Sequence, residues 1–387
     1  MKNFWICLFA VALFCSCGNK GKNYSYTLQT VDTFLNYHLA SDVKVPLMIR
    51  SCIDNDGKEY VYFQNGILPD LLIYDIHNEA LVKRVKFKEE GPDAIEGGFL
   101  DGFTMTDCNH IYISSLAKPE LYVTDTTGCI KRKMSYAEAV DGYKPECCFL
   151  DNGAFQFLDG KLYLPQGVNF RFGKDLLEKS ALLCSLDTLS GEVEALPVKF
   201  PPVGGIIRRG SPGNANTYYQ FCYNGQEFVY SFEYMDDLMV VNPLTHQVDY
   251  KTVRSRYIGE MKPFSTQSIN DAVLQRELCE YPSYGKIIYD SCNKVYYRVA
   301  YVPQEIDKDV DALSLFLTGR KQFSIMILDE DFNVIGEHLF PPYTYNPRLS
   351  FVSKDKLYIS LNNIMNPDYS DDVIRFQMVE LVKDIQK

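Results

Sequence analysis

The residues best suited to chemistry in this sequence are two adjacent arginines in a loop. Arg208 and Arg209 precede Gly210 and Ser211 within the segment 206–214. Two guanidinium groups beside backbone N–H donors could bind a carboxylate or a phosphate through paired hydrogen bonds. The alternative is that these arginines pair with acidic residues from another loop: Glu89, Glu90 or Asp93.

Two aromatic segments form a second group of candidates, because an aromatic ring offers a face on which a ligand can stack. The candidate ligand-binding residues of these segments are Tyr281, Tyr284, Tyr343, Tyr345 and Arg348. The only tryptophan, Trp5, lies in the apolar N-terminal segment, which weakens an interpretation as a lectin or a glycan lyase. The alternative for most tyrosines is packing inside the fold.

Motifs for nucleotide, serine-nucleophile or zinc chemistry are absent, and the five histidines have no ligand spacing. The segment 54–57 resembles the start of a calcium loop but lacks the distal glutamate, so a polar hairpin turn explains it. The pairs Asp236-Asp237 and Asp371-Asp372 leave a calcium site or an acid pair open, with solvated loop acids as the default. We therefore predict no catalytic residues, no metal and no cofactor.

Nine cysteines follow Cys17, an odd number. A chain of this size with ample core residues does not need a disulfide framework, so most of these cysteines are expected as small core residues. The adjacent Cys147 and Cys148 leave open a strained vicinal disulfide or a soft-metal site, with burial in a loop as the favoured alternative.

The elements that must position these residues recur along the chain. A strand-turn-strand pattern restarts at six positions, spaced 51, 51, 66, 67 and 62 residues apart: Tyr60, Ile111, Leu162, Phe228, Val295 and Leu357. Repeats of short strands with turn signals are typical of a β-propeller. The sequence predicts an all-β, six-bladed β-propeller with four-stranded blades.

The third strand of most repeats ends in an Asp or Asn, as in the segments 71–75, 121–125 and 238–242. A carboxylate or amide there can accept hydrogen bonds from the backbone of the next turn. These acids are therefore predicted to be structural.

The last repeat lacks one strand, because the chain stops at Lys387 soon after the segment 373–382. The segment 24–31 alternates polar and apolar residues. We predict that it pairs as the outer strand of the last blade and closes the ring, which removes a free sheet edge.

Long loops fall on one end of the predicted ring, in the B-C and D-A connections between strands A to D of successive blades. Long loops on a rigid scaffold commonly hold binding sites. Two of them are predicted to contain helices, with an apolar stripe from Ile306 to Leu317 and an N-cap in 268–271 before 272–280. These stripes are expected to pack on adjacent blades as a lid, or to enter a partner's groove.

The N-terminus begins with Lys2, continues as a short apolar run from Phe4 to Phe14, and reaches Cys17. This pattern predicts a signal peptide over residues 1–16, too short to span a bilayer. The run Phe14-Cys15-Ser16-Cys17 resembles a bacterial lipobox, which implies lipid attachment at Cys17 and a membrane partner; the alternative is a simple signal peptide cut elsewhere. A lipidated tether would cover 17–23 and the propeller 24–387.

The formal net charge of the chain is -11. Binding to nucleic acid needs clustered Lys and Arg, and no basic run exceeds Lys131-Arg132-Lys133. We predict no nucleic-acid partner.

The segments 89–95, 102–103, 111–113 and 122–128 resemble a family of uncharacterised Bacteroidetes lipoproteins. The resemblance covers nearly the whole chain and implies a TolB-like six-bladed propeller of the cell envelope, in the outer membrane. It carries no catalytic residues. Surface-exported lipoproteins of that phylum often have an acidic run after the lipidated cysteine, and 18–22 lacks one, which favours a periplasm-facing anchor.

Two functions follow from this sequence. The favoured one is a binding or interaction scaffold whose long-loop face holds a protein, a peptide or another envelope ligand without chemistry. The alternative is an extracytoplasmic hydrolase or lyase with acidic residues on the same face. A deep pocket on that face with two carboxylates, or a carboxylate and a histidine, within about 6 Å and raised in pKa would favour the enzyme. A shallow apolar or Arg-lined surface would favour binding.

Overall fold

The computed structural model describes residues 25–66, 68–88, 90–91, 94–95, 100–115, 118–146, 155–202, 217–261 and 272–383. Within these ranges β-strands are the main regular structure, and the helices are few and short. None of the described helices has the length and apolar character that crossing a membrane requires.

Four sheets of the structure have four antiparallel strands each, in chain order. Their strands are β2 (Arg50–Ile53), β3 (Glu59–Gln64), β4 (Asp70–Asp75) and β5 (Ala80–Lys86); β6 (Leu100–Asp107), β7 (His110–Ser115), β8 (Glu120–Thr124) and β9 (Ile130–Ser135); β10 (Gln156–Leu158), β11 (Lys161–Pro165), β12 (Leu183–Asp187) and β13 (Val193–Ala195); and β14 (Tyr219–Tyr223), β15 (Phe228–Phe232), β16 (Asp237–Val241) and β17 (Val248–Thr252). Each predicted second strand begins within one residue of its predicted onset.

The fifth sheet has eight strands in the order β18-β19-β20-β21-β1-β24-β23-β22. Its strands are β18 (Ser283–Asp290), β19 (Val295–Tyr301), β20 (Phe323–Leu328), β21 (Val334–Leu339), β22 (Asn346–Ser353), β23 (Lys356–Ser360), β24 (Val373–Lys383) and the N-terminal β1 (Tyr26–His38). The architecture is a propeller-like ring of four-stranded sheets in which two predicted blades share one sheet.

The two halves of this eight-stranded sheet join through a single parallel residue pair, Tyr26 with Gly336. The Ser25 N–H also donates to the Ile335 carbonyl, at 2.9 Å. A Cβ at position 336 would lie 2.2 Å from the Tyr26 carbonyl oxygen. Glycine therefore allows the close approach that merges the halves, a tertiary contact that repeat periodicity does not predict.

The N-terminal strand pairs antiparallel with β24, as the sequence predicts, although it continues to His38. The register runs from Tyr26 opposite Lys383 to His38 opposite Val373, with an irregularity between Thr30 and Phe34. Tyr37 is fully buried in this strand. The first described residues of the chain and its last ones therefore lie side by side in one sheet.

The predicted side-chain turns after the third strands are present. Asp75, Asp187 and Asn242 each accept hydrogen bonds from two backbone N–H groups of the following turn, at 2.8 to 3.0 Å. Backbone hydrogen bonds hold the pKa of the Asp75 and Asp187 carboxyls below their usual value. These acids end strands and are committed to the fold.

Helical segments occur in three of the predicted long loops: a 3-10 segment (Phe170–Asp175) leading into α1 (Leu176–Lys179), then α2 (Ala272–Glu280) and α3 (Ala312–Leu317). The helix predicted from Ile306 begins only at Ala312, because the Asp311 carboxylate caps the Leu313 and Ser314 N–H groups. Ile306 packs against α2 and α3 instead. The cap predicted in 268–271 lies outside the described residues.

The first strand of each sheet lies on the inner wall of the ring. Strand β14 contacts β18, β18 contacts β22, β22 contacts β2, and β2 contacts β6. The side chains of these strands therefore decide what the centre of the molecule can bind.

Candidate functional site

A cavity of about 670 Å³ lies against the inner wall of the ring. Strands β2, β10, β14, β18 and β22 supply its sides, and residues of α2 and α3 lie at one end of it. Its volume falls within the range of about 300–1,000 Å³ that is typical of small-molecule sites.

Cationic side chains dominate the charged lining of this cavity. Among the described lining residues, one carboxylate is present, Glu233, and no histidine. The basic lining residues are Arg50, Lys286, Arg320, Arg348 and Lys354. A chain with a net charge of -11 thus concentrates positive charge at its centre.

Lys286 lies between two inner strands. Its ammonium group donates to the Ser350 carbonyl at 2.6 Å and to the Arg348 carbonyl at 3.3 Å. These bonds connect β18 to β22 and hold Lys286 beside the strand that carries Arg348. Two basic residues from the opposite end strands of the eight-stranded sheet are thereby brought together.

Arg320 lies near the helical end of the cavity and is almost fully buried. Its guanidinium carbon is 4.2 Å from the centre of the Tyr301 ring and 5.2 Å from that of Phe316. One of its N–H groups donates to the Tyr281 carbonyl at 3.3 Å. Stacking and this hydrogen bond hold Arg320 in place, and Arg348 lies 5.8 Å from the same Phe316 ring.

The helices α2 and α3 pack on each other through buried apolar residues that include Cys279, Ala312 and Leu315. The Cys279 thiol donates to the Ala312 carbonyl at 3.0 Å. Leu278, Phe316 and Leu317 line the cavity. The apolar stripes thus bury against each other, whereas the sequence predicts that they pack on adjacent blades, and further residues of both helices line the cavity.

The predicted aromatic platform does not form at Tyr284 and Tyr345, because both rings are buried in the fold. The Tyr345 hydroxyl donates to Gln377 Oε1 at 2.6 Å. Tyr281 and Tyr343 are half-buried, and their hydroxyls donate to Glu277 and Asp307. Of the predicted residues that the structure describes, Arg348 alone lines the central cavity.

Tyr284, on β18, belongs to a polar cluster with residues that follow β15 and β17. Its hydroxyl donates to Asp236 Oδ1 at 2.7 Å, and the other oxygen of Asp236 pairs with Arg254. Asp237 accepts a 2.6 Å hydrogen bond from the Thr252 hydroxyl. The acid pair at 236–237 is therefore engaged by protein partners, and the Asp371 carboxylate likewise accepts from Tyr369.

Several sequence candidates lie outside the described residues: Cys17, Cys147, Cys148, Arg208, Arg209 and Ser211. The described cysteines are free thiols. Cys184 and Cys279 are buried, and Cys129 and Cys292 are exposed. The other three described cysteines are partly buried and pack against the core: Cys52, Cys108 and Cys222. In the described ranges, no three His, Cys, Asp or Glu residues come together in an arrangement that could hold a metal ion.

A second cavity, of about 680 Å³, lies beside β1 and β24. Its described lining mixes charges, with Glu79 and Asp368 against Arg375. The Arg375 guanidinium stacks 4.1 Å from the Phe34 ring centre. This lining, with two carboxylates against one guanidinium, contrasts with the cationic lining of the central cavity.

Sequence reasoning missed Arg50, Lys286, Arg320 and Lys354 as site residues. A signal for two of them was present: Arg50 and Lys286 occur within first strands, which a propeller places around its centre. Polar residues in such strands point to a lined cavity rather than to a packed core.

Comparison with known proteins gives a family. The family model described as "Domain of unknown function (DUF4221)" matches residues 25–339. No curated protein matches the sequence. A crystal structure of a DUF4221 member from Bacteroides vulgatus is 26% identical with a TM-score of 0.79, covering 94% of this chain and 100% of its own.

A second solved structure, of a candidate exported protein from Bacteroides fragilis, is 11% identical with a TM-score of 0.56. It covers 92% of this chain and 96% of its own, and shows that the fold is shared. Because the DUF4221 model matches residues 25–339, well over half of the sequence, the chain belongs to the DUF4221 family.

Proposed function

We propose that this protein is a lipid-anchored, extracytoplasmic binding protein whose central cavity holds an anionic ligand. The observation that carries the proposal is the charge of the described lining, five basic side chains against one carboxylate. Guanidinium and ammonium groups in a partly desolvated cavity bind carboxylates and phosphates more strongly than they do in water. The proposed ligand site is therefore the central cavity, and not the long-loop face that the sequence favours.

Binding is favoured over hydrolysis or lyase chemistry by the same lining. Acid-base chemistry of that kind generally uses two carboxylates, or a carboxylate with a histidine. Glu233 is the one carboxylate among the described lining residues, which include no histidine. The proposed role is therefore to hold a ligand from the envelope without changing it.

We also propose that the ring has six blades. The eight-stranded sheet then counts as one blade of β18 to β21 and a second of β22, β23, β24 and β1. The single pair between Tyr26 and Gly336 supports this division, since β1 pairs with β24 along most of its length. The sixth blade takes its outer strand from the N-terminus.

The binding proposal is tested on the processed chain beginning at residue 17 with Cys17→Ser, so that no lipid interferes. Calorimetric titration compares hexanoate with hexylammonium, which share an apolar chain and differ in charge. We expect hexanoate to bind at least tenfold more tightly. We expect Arg348→Gln to weaken hexanoate binding by about tenfold, consistent with losing a charge-assisted hydrogen bond of about 1.5–3 kcal/mol.

The matched control is Lys251→Gln, which removes the same charge from an exposed position on the outer strand β17. It should leave the affinity within twofold. Equal binding of the two probes, or an equal effect of Arg348→Gln and Lys251→Gln, would overturn the proposal.

The proposed anchor is tested in cells with labelled palmitate. Cys17→Ser should abolish the label and release the protein from membranes, because one acyl methylene contributes about 0.8 kcal/mol of membrane affinity. Cys15→Ser, two residues earlier, should keep the label. Protease added to intact cells should leave the protein uncut, as a periplasm-facing outer-membrane lipoprotein requires.

A further inference from the structure

The lining of the central cavity changes from polar to apolar along the strands of the inner wall. Among the residues of β14 that line the cavity, Gln220 and Cys222 alternate with the buried Phe221, and on β18 Lys286 and Ile288 alternate with the buried Ile287. Residues two apart on a strand point to the same side and lie about 6.6–6.8 Å apart. The two strands therefore present polar side chains at one level and apolar side chains at the next.

Strand β22 follows the same order. Arg348 and Ser350 line the cavity first, and Val352 follows two residues later. The bonds from the Lys286 ammonium to the Arg348 and Ser350 carbonyls place Lys286 at the polar level of β22. The polar side chains of both strands thus form one cationic level.

The apolar level continues onto β2, where Ile53 lines the cavity while remaining 62% exposed. Burial raises the pKa of the Cys222 thiol, so this lining residue is neutral at physiological pH. Lys354 and Ser291 lie at the outer rim beyond this level. A ligand that covers exposed apolar surface inside a cavity is stabilised by about 25 cal/mol for each Å² of apolar surface buried.

We infer that the ligand is an amphiphile with one anionic group, a carboxylate or a phosphate ester, on an apolar body. This inference rests on the proposed function and adds an orientation to it. The anionic group lies at the level of Lys286 and Arg348, and the apolar body extends toward Ile288 and Val352. The apolar level selects against inorganic anions, because they have no apolar body. The cationic level selects against neutral lipids, because they have no negative charge.

The test measures the affinity of the lipid-free processed chain for a homologous series of acids: acetate, butanoate, hexanoate and decanoate. Each acid is titrated directly, and the weakest ones are measured by their displacement of bound decanoate. Affinity should rise about twofold to fourfold per methylene, because a fully buried methylene contributes about 0.8 kcal/mol. Decanol should bind at least tenfold more weakly than decanoate. Decyl phosphate should likewise bind more tightly than inorganic phosphate.

Two variants separate the head from the body. Arg348→Gln should weaken butanoate and decanoate by the same factor, because it acts on the shared anionic group. Ile288→Trp fills the apolar level, so it should weaken decanoate at least tenfold and butanoate less than threefold. Val352→Thr keeps the side-chain shape and should reduce decanoate binding about threefold to tenfold.

Thermal unfolding of each variant, compared with the parent chain, identifies any loss of affinity that is due to misfolding. Val352→Thr is the variant that perturbs packing least. If phosphate and acetate bind as tightly as decanoate, the amphiphile inference is overturned and the anion-binding function stands. If decanol equals decanoate, the anionic head is wrong. If no anion binds, the proposed function itself fails.

Discussion

The guanidinium carbon of Arg298 lies 3.5 Å from the centre of the Tyr284 ring, and both side chains are fully buried. Around this pair, the guanidinium donates to the Ser231 hydroxyl and to the backbone carbonyls of Met235, Asp236 and Val253, at 2.8 to 2.9 Å. Burial lowers the pKa of Arg298 to about 10. A residue of β19 thereby holds together the second and fourth strands of the preceding sheet.

Arg298→Met should lower the free energy of unfolding by about 3 kcal/mol or more, because each buried acceptor left without a donor costs about 1–3 kcal/mol. Urea unfolding followed by circular dichroism measures this loss. Arg254→Met is the control: its side chain is 65% exposed, and an exposed ion pair contributes at most about 1 kcal/mol. Equal losses in the two variants would contradict the role given to Arg298.

Asp125 makes stability depend on pH. Hydrogen bonds from the Thr127 side chain and backbone, together with Lys131, lower the pKa of its carboxyl to about 2. A depressed folded pKa contributes stability above the unfolded value near 4, and this contribution is lost as pH falls from about 4 to about 2.

Asp125→Asn should therefore be less stable than the parent at pH 7, by at most about 1 kcal/mol, and this difference should fall to half or less at pH 2, where about half of the folded carboxyl is protonated. Thermal unfolding at pH 7, 4 and 2 checks this convergence. Asp331→Asn, in an exposed turn of another sheet, should stay within about 0.5 kcal/mol of the parent throughout. A difference for Asp125→Asn that is as large at pH 2 as at pH 7 would exclude a charge effect.

Tyr37 joins the N-terminal strand to the core. Its ring centre is 5.0 Å from that of Tyr74 and 5.8 Å from that of Phe376. Tyr37→Ala should lower the free energy of unfolding by about 3–5 kcal/mol, as truncation of other large buried aromatic residues does. Tyr250→Ala, at a position 49% exposed, should cost less than about 1 kcal/mol in the same denaturation experiment.

Gly336 tests whether the eight-stranded sheet behaves as two blades. A Cβ there would meet the Tyr26 carbonyl, so Gly336→Ala should cost about 1–3 kcal/mol and expose the Ser25 amide to hydrogen exchange. The amides of 34–38 should stay protected through β24. Gly259→Ala, where a Cβ meets nothing within 4 Å, is the control. Loss of protection along all of β1 would argue against two separable blades.

Local signals in the sequence determined the elements of the fold. The alternation and turn residues place β3, β7 and β19 within a residue or two, and the Asp and Asn side chains after third strands make the predicted turns. These features depend on neighbours within one repeat. The pairing of the N-terminal segment with β24 followed from the same reasoning, because the last repeat lacked a strand.

Only the tertiary structure decided which side chains surround a site. Lys286 and Arg348 are 62 residues apart in the chain and share one level of the cavity because β18 and β22 are neighbours on the inner wall. Tyr284 is an aromatic residue of the kind that can stack on a ligand, but its ring is buried against Arg298. Periodicity determines strands because strand and turn preferences are local, whereas the closure of the ring determines contacts between repeats.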